Sequence, residues 1–210
     1  MLSIRDTAVN KRIEVILFDL GGVLVELGES PIPAEWLLEG NNYELSDWFS
    51  SQTAKAFEKG EITAQQFADT FKNELNIEAS SEKIIEYFTQ WPIGVFPDAF
   101  ELLENLRNKY KLAVLSNTNE LHWPRIIGEF KIPKYFDHIY SSHLMHKAKP
   151  DIGAFQYVLD DLMVMPSRVL FLDDNQSNVA SAEKLDIQSV HVKGIEEVRQ
   201  ALIRENIVDA

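Results

Sequence analysis

The 210-residue chain contains no cysteine. Disulfides, thiolate metal sites and thiol nucleophiles are therefore excluded, and a reducing compartment suits the composition. Long apolar runs are missing too. In the N-terminal stretch MLSIRDTAVNKRIEVILFDL the first apolar run begins only at Ile13, contains Glu14 and stops at Asp19. It predicts neither a signal peptide nor a transmembrane span, so the default expectation is a cytoplasmic protein with no membrane partner. Basic residues are scarce. Lys and Arg number 20 against 33 Asp and Glu, a formal net charge of −13. Such a surface repels phosphate backbones at long range, which argues against nucleic acid as a partner. A small anionic substrate stays possible, because salt screens the distant field and leaves a locally positive pocket to dominate. Repeats and low-complexity stretches are also lacking, and with 45% hydrophobic and 25% charged residues the composition is that of an ordinary globular chain.

What is present is a series of short apolar runs, VILF at 15–18, LAVL at 112–115 and VLFL at 169–172, each ending abruptly in polar residues. Continuous rather than alternating apolar strands are expected where both faces of a parallel sheet are covered by helices. HIY at 138–140 and SVHV at 189–192 read as two further strands. Helical spacing lies between them, at Phe100, Leu103 and Leu106, at Phe155, Val158, Leu159 and Leu162, and at Val179, Ala182 and Leu185 after Ser177. Alternating strand and helix predicts an α/β fold with a doubly wound, Rossmann-like parallel sheet.

Residues 29–96 break that rhythm, with no convincing strand and several amphipathic helical stretches. Leu45, Trp48 and Phe49 mark one helix, Phe67, Phe71 and Leu75 a second, and Ile84, Ile85 and Phe88 a third; Thr63 and Gln66 have capping-box spacing ahead of the second. The predicted organisation is an α/β core of 13–28 plus 97–210, with an inserted α-helical cap of 29–96. Trp36, Trp48 and Trp91 are expected in the cap core, with one of them a candidate for the cleft wall.

In an open parallel sheet, ligands bind beyond the carboxyl ends of the strands. The polar residues there are Asp19 in FDLGGV, Ser116 and Asn117 in LSNTN, and Asp173 and Asp174 in FLDDNQSN, with Lys149 in AKPD after the strand near 138. Taken singly, each has an ordinary explanation as a turn, cap or solvated residue. Together they make a site. Three carboxylates at one sheet edge repel unless a cation joins them, and oxygen-only ligation favours Mg²⁺. An Asp carboxylate can attack phosphorus to give an aspartyl-phosphate, while a cation, Lys149 and the Ser116 hydroxyl stabilise the phosphoryl oxygens.

FDLGGV, LSNTN, KP and FLDD, in this order, resemble the four signature motifs of the haloacid dehalogenase superfamily. The resemblance covers nearly the whole chain from Ile13 and is similar to the subgroup with a helical cap between motifs one and two, which includes the bacterial α-glucose-1-phosphatase type. It implies a magnesium-dependent phosphatase for a small phosphorylated metabolite, a sugar phosphate among the candidates. By position, Asp19 is the implied nucleophile and a magnesium ligand, with the Gly21 carbonyl and Asp174 as further ligands and Asp173 a near-metal or water-bridged partner. Ser116 is implied to bind the transferring phosphoryl group, Asn117 to support its loop, and Lys149 to hold nucleophile and phosphate together.

Two positions depart from the family pattern. Gly21 stands where an aspartate general acid and base is usual, and His146 stands where glycine is often found. The rival activity is a 2-haloacid dehalogenase, which needs no magnesium; the Asp173–Asp174 pair argues against it. A third reading, a weakly active or inactive binding protein on the same scaffold, has only Gly21 in support. A calcium loop beginning at Asp173 fails, because Asn178 and Lys184 occupy the positions that need glycine and glutamate. His143 and His146 lack a third zinc ligand and receive no role. His122 and Trp123 are either pocket residues or a solvated helix start. Oligomeric state is not legible.

Overall fold

A computed structural model describes residues 13–37, 43 and 45–209; the reading of residues 1–12, and the side chains of Leu45 and Phe49, lie outside what it describes. Its centre is a five-stranded, all-parallel sheet. The strands are β1 (Val15–Phe18), β4 (Lys111–Ser116), β5 (His138–Ser141), β6 (Val169–Asp173) and β7 (Gln188–His191), in the order β5-β4-β1-β6-β7. β1 is the middle strand, paired in register with β4 (Val15 with Lys111) and β6 (Val15 with Val169).

Side chains alternate across a strand, and here both faces are apolar. Ile16 and Phe18 point into one core with Leu112, Val114, Leu170 and Leu172; Val15 and Leu17 point into the other with Ala113, Leu115 and Phe171. The first face is covered by α5 (Ala99–Arg107) and α9 (Gly194–Arg204), through Leu102, Leu103, Leu106, Val198 and Leu202. The second is covered chiefly by α7 (Ile152–Leu162) through Phe155, Val158 and Leu159. The sheet is doubly wound and Rossmann-like, as the apolar runs predict. α8 (Gln176–Glu183) begins at an Asn175 cap, two residues ahead of Ser177, because the Asn175 side chain accepts from the Ser177 amide.

Among the described residues, four α-helices, α1 (Leu45–Ser50), α2 (Gln52–Glu58), α3 (Ala64–Leu75) and α4 (Ser81–Thr89), lie between a short strand β2 (Val25–Leu27) and β3 (Pro92–Val95). The capping box at Thr63 and Gln66 is formed. The expectation of no strand within 29–96 is corrected by β3, which pairs antiparallel with β2. Two features hid it: Pro92 opens the strand, and Gly94 removes its alternation. The helices close on an aromatic cluster in which Trp48 lies 5.0 Å from Phe88 and 5.4 Å from Trp91, and Phe57 stacks on Phe67 at 4.5 Å between ring centroids. Trp48 and Trp91 are buried there, and Trp36 packs at the margin. No helix among the described residues is long and apolar enough to cross a membrane.

Candidate active site

Asp19 directly follows β1, Ser116 closes β4 and Asp173 closes β6. Because these strands are parallel neighbours, three polar groups emerge together at one sheet edge. The Asp19 amide donates to the Leu172 carbonyl (2.9 Å), extending the pairing one residue beyond the strand. Its Oδ1 accepts from the Leu20 amide (2.7 Å) and lies 3.0 Å from Lys149 Nζ. The same fully buried ammonium lies 2.6 Å from Asp173 Oδ2. Asp173 Oδ1 accepts from the Asn175 amide (2.8 Å) and Asn178 Nδ2 (2.9 Å). Asp173 is thus committed to holding Lys149 and the following loop.

Asn117 fixes the Lys149 backbone from the neighbouring loop. Its Nδ2 donates to the Lys149 carbonyl and its Oδ1 accepts from the Lys149 amide, both at 2.9 Å. The Lys149–Pro150 peptide is cis. Ser116 is buried beside this loop and lines the cavity.

Electrostatics follow from burial. Removal from water raises the Asp19 carboxyl to about 8; Lys149 opposes the shift, and Asp173 and Asp174 reinforce it. Burial followed by Asp173 raises Asp174 to about 6. Burial acts to lower Lys149, but the adjoining Asp173 and Asp19 carboxylates overcome it and hold the ammonium above the usual lysine value. Carboxylate oxygens of Asp19, Asp173 and Asp174 lie within 4.8 Å of one another, and a hard, oxygen-only donor set of this kind fits Mg²⁺. Gly22 shapes the same place. Its φ is +70°, and a β-carbon there would stand 2.3 Å from Asp174 Oδ2, so only glycine leaves room for that carboxylate.

These groups floor a cavity of about 280 Å³, near the lower end of small-molecule sites. Its lining also includes Trp48, Lys55, Glu58 and Trp91 from the inserted segment. Glu58 Oε1 accepts from Trp48 Nε1 and Oε2 from Asn117 Nδ2, each at 3.3 Å. Burial raises its carboxyl to about 7, against those hydrogen bonds and the pull of Lys149 and Lys55. Thr118 also lines the cavity, and its buried Oγ1 has no hydrogen-bond partner among the described residues.

His122 is buried in the cavity wall, so the solvated helix start is not what forms. Its Nε2 lies 2.7 Å from the Phe88 carbonyl and its Nδ1 3.2 Å from Asn119 Nδ2. A carbonyl only accepts, so the proton belongs on Nε2, and burial lowers the imidazole to about 4, keeping it neutral. His143 and His146 belong to no three-ligand cluster among the described residues; His146 Nδ1 instead meets the Lys59 carbonyl at 2.9 Å.

All six sequence-predicted side chains, Asp19, Ser116, Asn117, Lys149, Asp173 and Asp174, meet at this edge, together with Gly21 in the cavity wall. Thr118 and Gly22 were present in the motifs without a role attached. Glu58 had no local signal, because it reaches Asn117 only across a separation of 59 residues.

A model of the family described as haloacid dehalogenase-like hydrolase matches residues 16–192. The chain belongs to that family. Among haloacid dehalogenase-like proteins, it is 26% identical over 203 residues to the D-ribitol-5-phosphate phosphatase of Bacteroides thetaiotaomicron, spanning 90% of this chain and 97% of that one. Its fold matches a family enzyme from the same organism, solved with magnesium and inorganic phosphate, at a TM-score of 0.72 and 28% identity over 86% of this chain and 94% of the other. The L-2-haloacid dehalogenase of Xanthobacter autotrophicus is alike in fold alone, with a TM-score of 0.64 at 20% identity over 93% and 84% of the two chains.

Proposed function

We propose that this haloacid dehalogenase-like hydrolase is a magnesium-dependent phosphatase that cleaves a small phosphorylated metabolite, of the sugar-phosphate class, through an aspartyl-phosphate on Asp19. It is a phosphoric monoester hydrolase. The observation that carries the reading is Asp19, held by Lys149 at 3.0 Å and flanked by Asp173 and Asp174 on the floor of a metabolite-sized cavity. The phosphatase name of the Bacteroides relative and the magnesium and phosphate in the related structure support it.

In this reading Asp19, the Gly21 carbonyl and Asp174 hold the cation, and Asp173 borders it while fixing Lys149. Magnesium, when bound, supplies positive charge that offsets the carboxylates and the phosphoryl oxygens. The Asp19 carboxylate attacks phosphorus, the bond to the leaving oxygen breaks, and water later releases phosphate and restores Asp19. Lys149 and the Ser116 hydroxyl hold the phosphoryl oxygens, and Asn117 keeps Lys149 in place. Residues 13–28 plus 97–210 form the α/β core and 29–96 the cap, which closes over the substrate and excludes water. The lack of cysteine supports a cytoplasmic setting, and the charge of −13 supports a partner that is a small molecule rather than nucleic acid.

The test is phosphate release from D-ribitol 5-phosphate and a panel of other sugar phosphates, with Mg²⁺ or excess chelator. Asp19→Asn should lower kcat on the order of 10⁶-fold, the scale seen when a covalent nucleophile is removed. Equal turnover in chelator would overturn the metal assignment. Halide release from a 2-haloacid, with no phosphate released from any ester, would replace the phosphatase reading with a dehalogenase one.

A further inference from the structure

The phosphatase reading leaves a chemical gap. An alcohol departing from phosphorus needs a proton, and the water that clears the aspartyl-phosphate must lose one, yet Gly21 carries no side chain to do either. The cavity wall offers few substitutes. Lys149 is clasped between two carboxylates, Asp173 already accepts from Lys149, Asn175 and Asn178, and both His122 nitrogens are occupied by the Phe88 carbonyl and Asn119. Lys55 donates to the Ser50 carbonyl and, as a cation, accepts nothing. Glu58 remains.

We infer that Glu58, at the end of cap helix α2, is the proton donor to the leaving oxygen and the proton acceptor from the hydrolytic water, an inference that rests on the phosphatase reading above. Glu58 lines the same cavity as Asp19. It is one hydrogen bond from Asn117, whose Nδ2 also donates to the carbonyl of Lys149, the residue bonded to Asp19. Its two hydrogen bonds are long, 3.3 Å each, so neither commits the carboxyl to one protonation state.

The next two residues dock on the core. The Lys59 carbonyl meets His146 Nδ1 at 2.9 Å. Gly60, with φ +66°, approaches so closely that a β-carbon would stand 2.6 Å from the His143 carbonyl oxygen. Docking at Lys59 and Gly60 therefore carries Glu58 into the site, and His146, a departure from the family pattern, takes part in that docking. The groups facing Glu58 are Trp48 on α1, Asn117 and Lys149 on the core loops, and Lys55 on its own helix. Burial outweighs both lysines and sets the carboxyl at about 7, where acid and base forms coexist at neutral pH.

The steps balance. Asp19 forms a bond to phosphorus as the ester P–O bond breaks, and the Glu58 proton passes to the departing oxygen to give the free alcohol. Water then attacks phosphorus, its proton returns to Glu58, and phosphate and the Asp19 carboxylate are released.

The experiment compares p-nitrophenyl phosphate, whose leaving group needs no proton, with glycerol 1-phosphate, whose leaving group does. Wild type, Glu58→Gln, Glu58→Asp and Asp19→Asn are assayed with Mg²⁺ across pH. Glu58→Gln should lose about 10²–10⁴ in kcat/KM on glycerol 1-phosphate and less than about 10-fold on the nitrophenyl ester. It should also give a burst of nitrophenolate as aspartyl-phosphate accumulates, and lose the pH limb near 7. Glu58→Asp keeps the acid and should preserve the wild-type ratio of the two activities. Equal losses on both esters, or a higher KM at unchanged kcat, would overturn the role of Glu58. Undiminished activity in Asp19→Asn would overturn the aspartyl-phosphate route through Asp19 instead, and no cleavage of either ester by wild type would overturn the phosphatase reading, so the failures are separable.

Discussion

At Gly22 a single missing β-carbon decides where a carboxylate can stand. The backbone there is left-handed, and an added methyl would overlap the Asp174 carboxylate. Gly22→Ala should cost about 1–3 kcal/mol in stability and weaken Mg²⁺ binding, read by thermal unfolding and by calorimetric titration with the metal. Unchanged affinity would show that Asp174 is not held by this contact. Gly21 differs in kind. Its φ is not left-handed, and a β-carbon would only press the flexible end of Leu27 at 3.2 Å. The absence of a side chain there is thus not imposed by the backbone, and in the proposed mechanism the proton chemistry falls to Glu58. Burial acts in opposite senses on two groups of the cavity wall: it raises the Glu58 carboxyl to about 7 and lowers the His122 imidazole to about 4, in each case disfavouring the charged form.

Between elements, the loop after β4 and the inserted helices are joined by short polar contacts. His122 Nε2 donates to the last turn of α4 at Phe88, Arg125 donates to the Thr89 and Pro92 carbonyls, and Glu120 accepts from the first amide of α3. The His122 contact gives this junction a pH dependence of defined sign. Its folded value near 4 lies below the ordinary 6.5, so its stabilising contribution is complete above about 6.5 and is lost as pH falls through 4. Wild-type protein should therefore lose thermal stability between pH 6.5 and 4 more steeply than His122→Gln. Parallel curves for the two proteins would remove His122 as the titrating latch.

For the molecule as a whole, a net charge of −13 surrounds a cavity that contains Lys149. At low ionic strength the global field slows the approach of a phosphate dianion, whereas the buried ammonium acts only at short range and is little screened. The kcat/KM for a phosphate monoester should rise a few-fold as salt increases from about 0.01 M to about 0.15 M. A monotonic fall would show that the local positive field governs capture. The architecture separates contributions in the same way: the sheet edge brings Asp19, Asp173 and Asp174 together, while the inserted segment adds Trp48, Lys55, Glu58 and Trp91 to the cavity lining.

The parallel sheet was legible in the sequence because strands buried on both faces must be continuously apolar, so VILF, LAVL and VLFL announced themselves without neighbours. The residues at their ends were legible for the same reason, since parallel strands deliver their carboxyl ends to one edge whatever the loops do. Strand β3 was not, because its proline and glycine mask alternation and only pairing with β2 defines it. Nor was the direction of the inserted wall. His122 could be buried or solvated until Phe88 and Asn119 were placed around it. Glu58 carries no motif, and its environment is made by Trp48, Asn117 and Lys149 from distant segments. Local apolar periodicity set the sheet and the polar residues at its edge; what the inserted segment adds to the cavity depended on long-range packing, which the chain expresses only when folded.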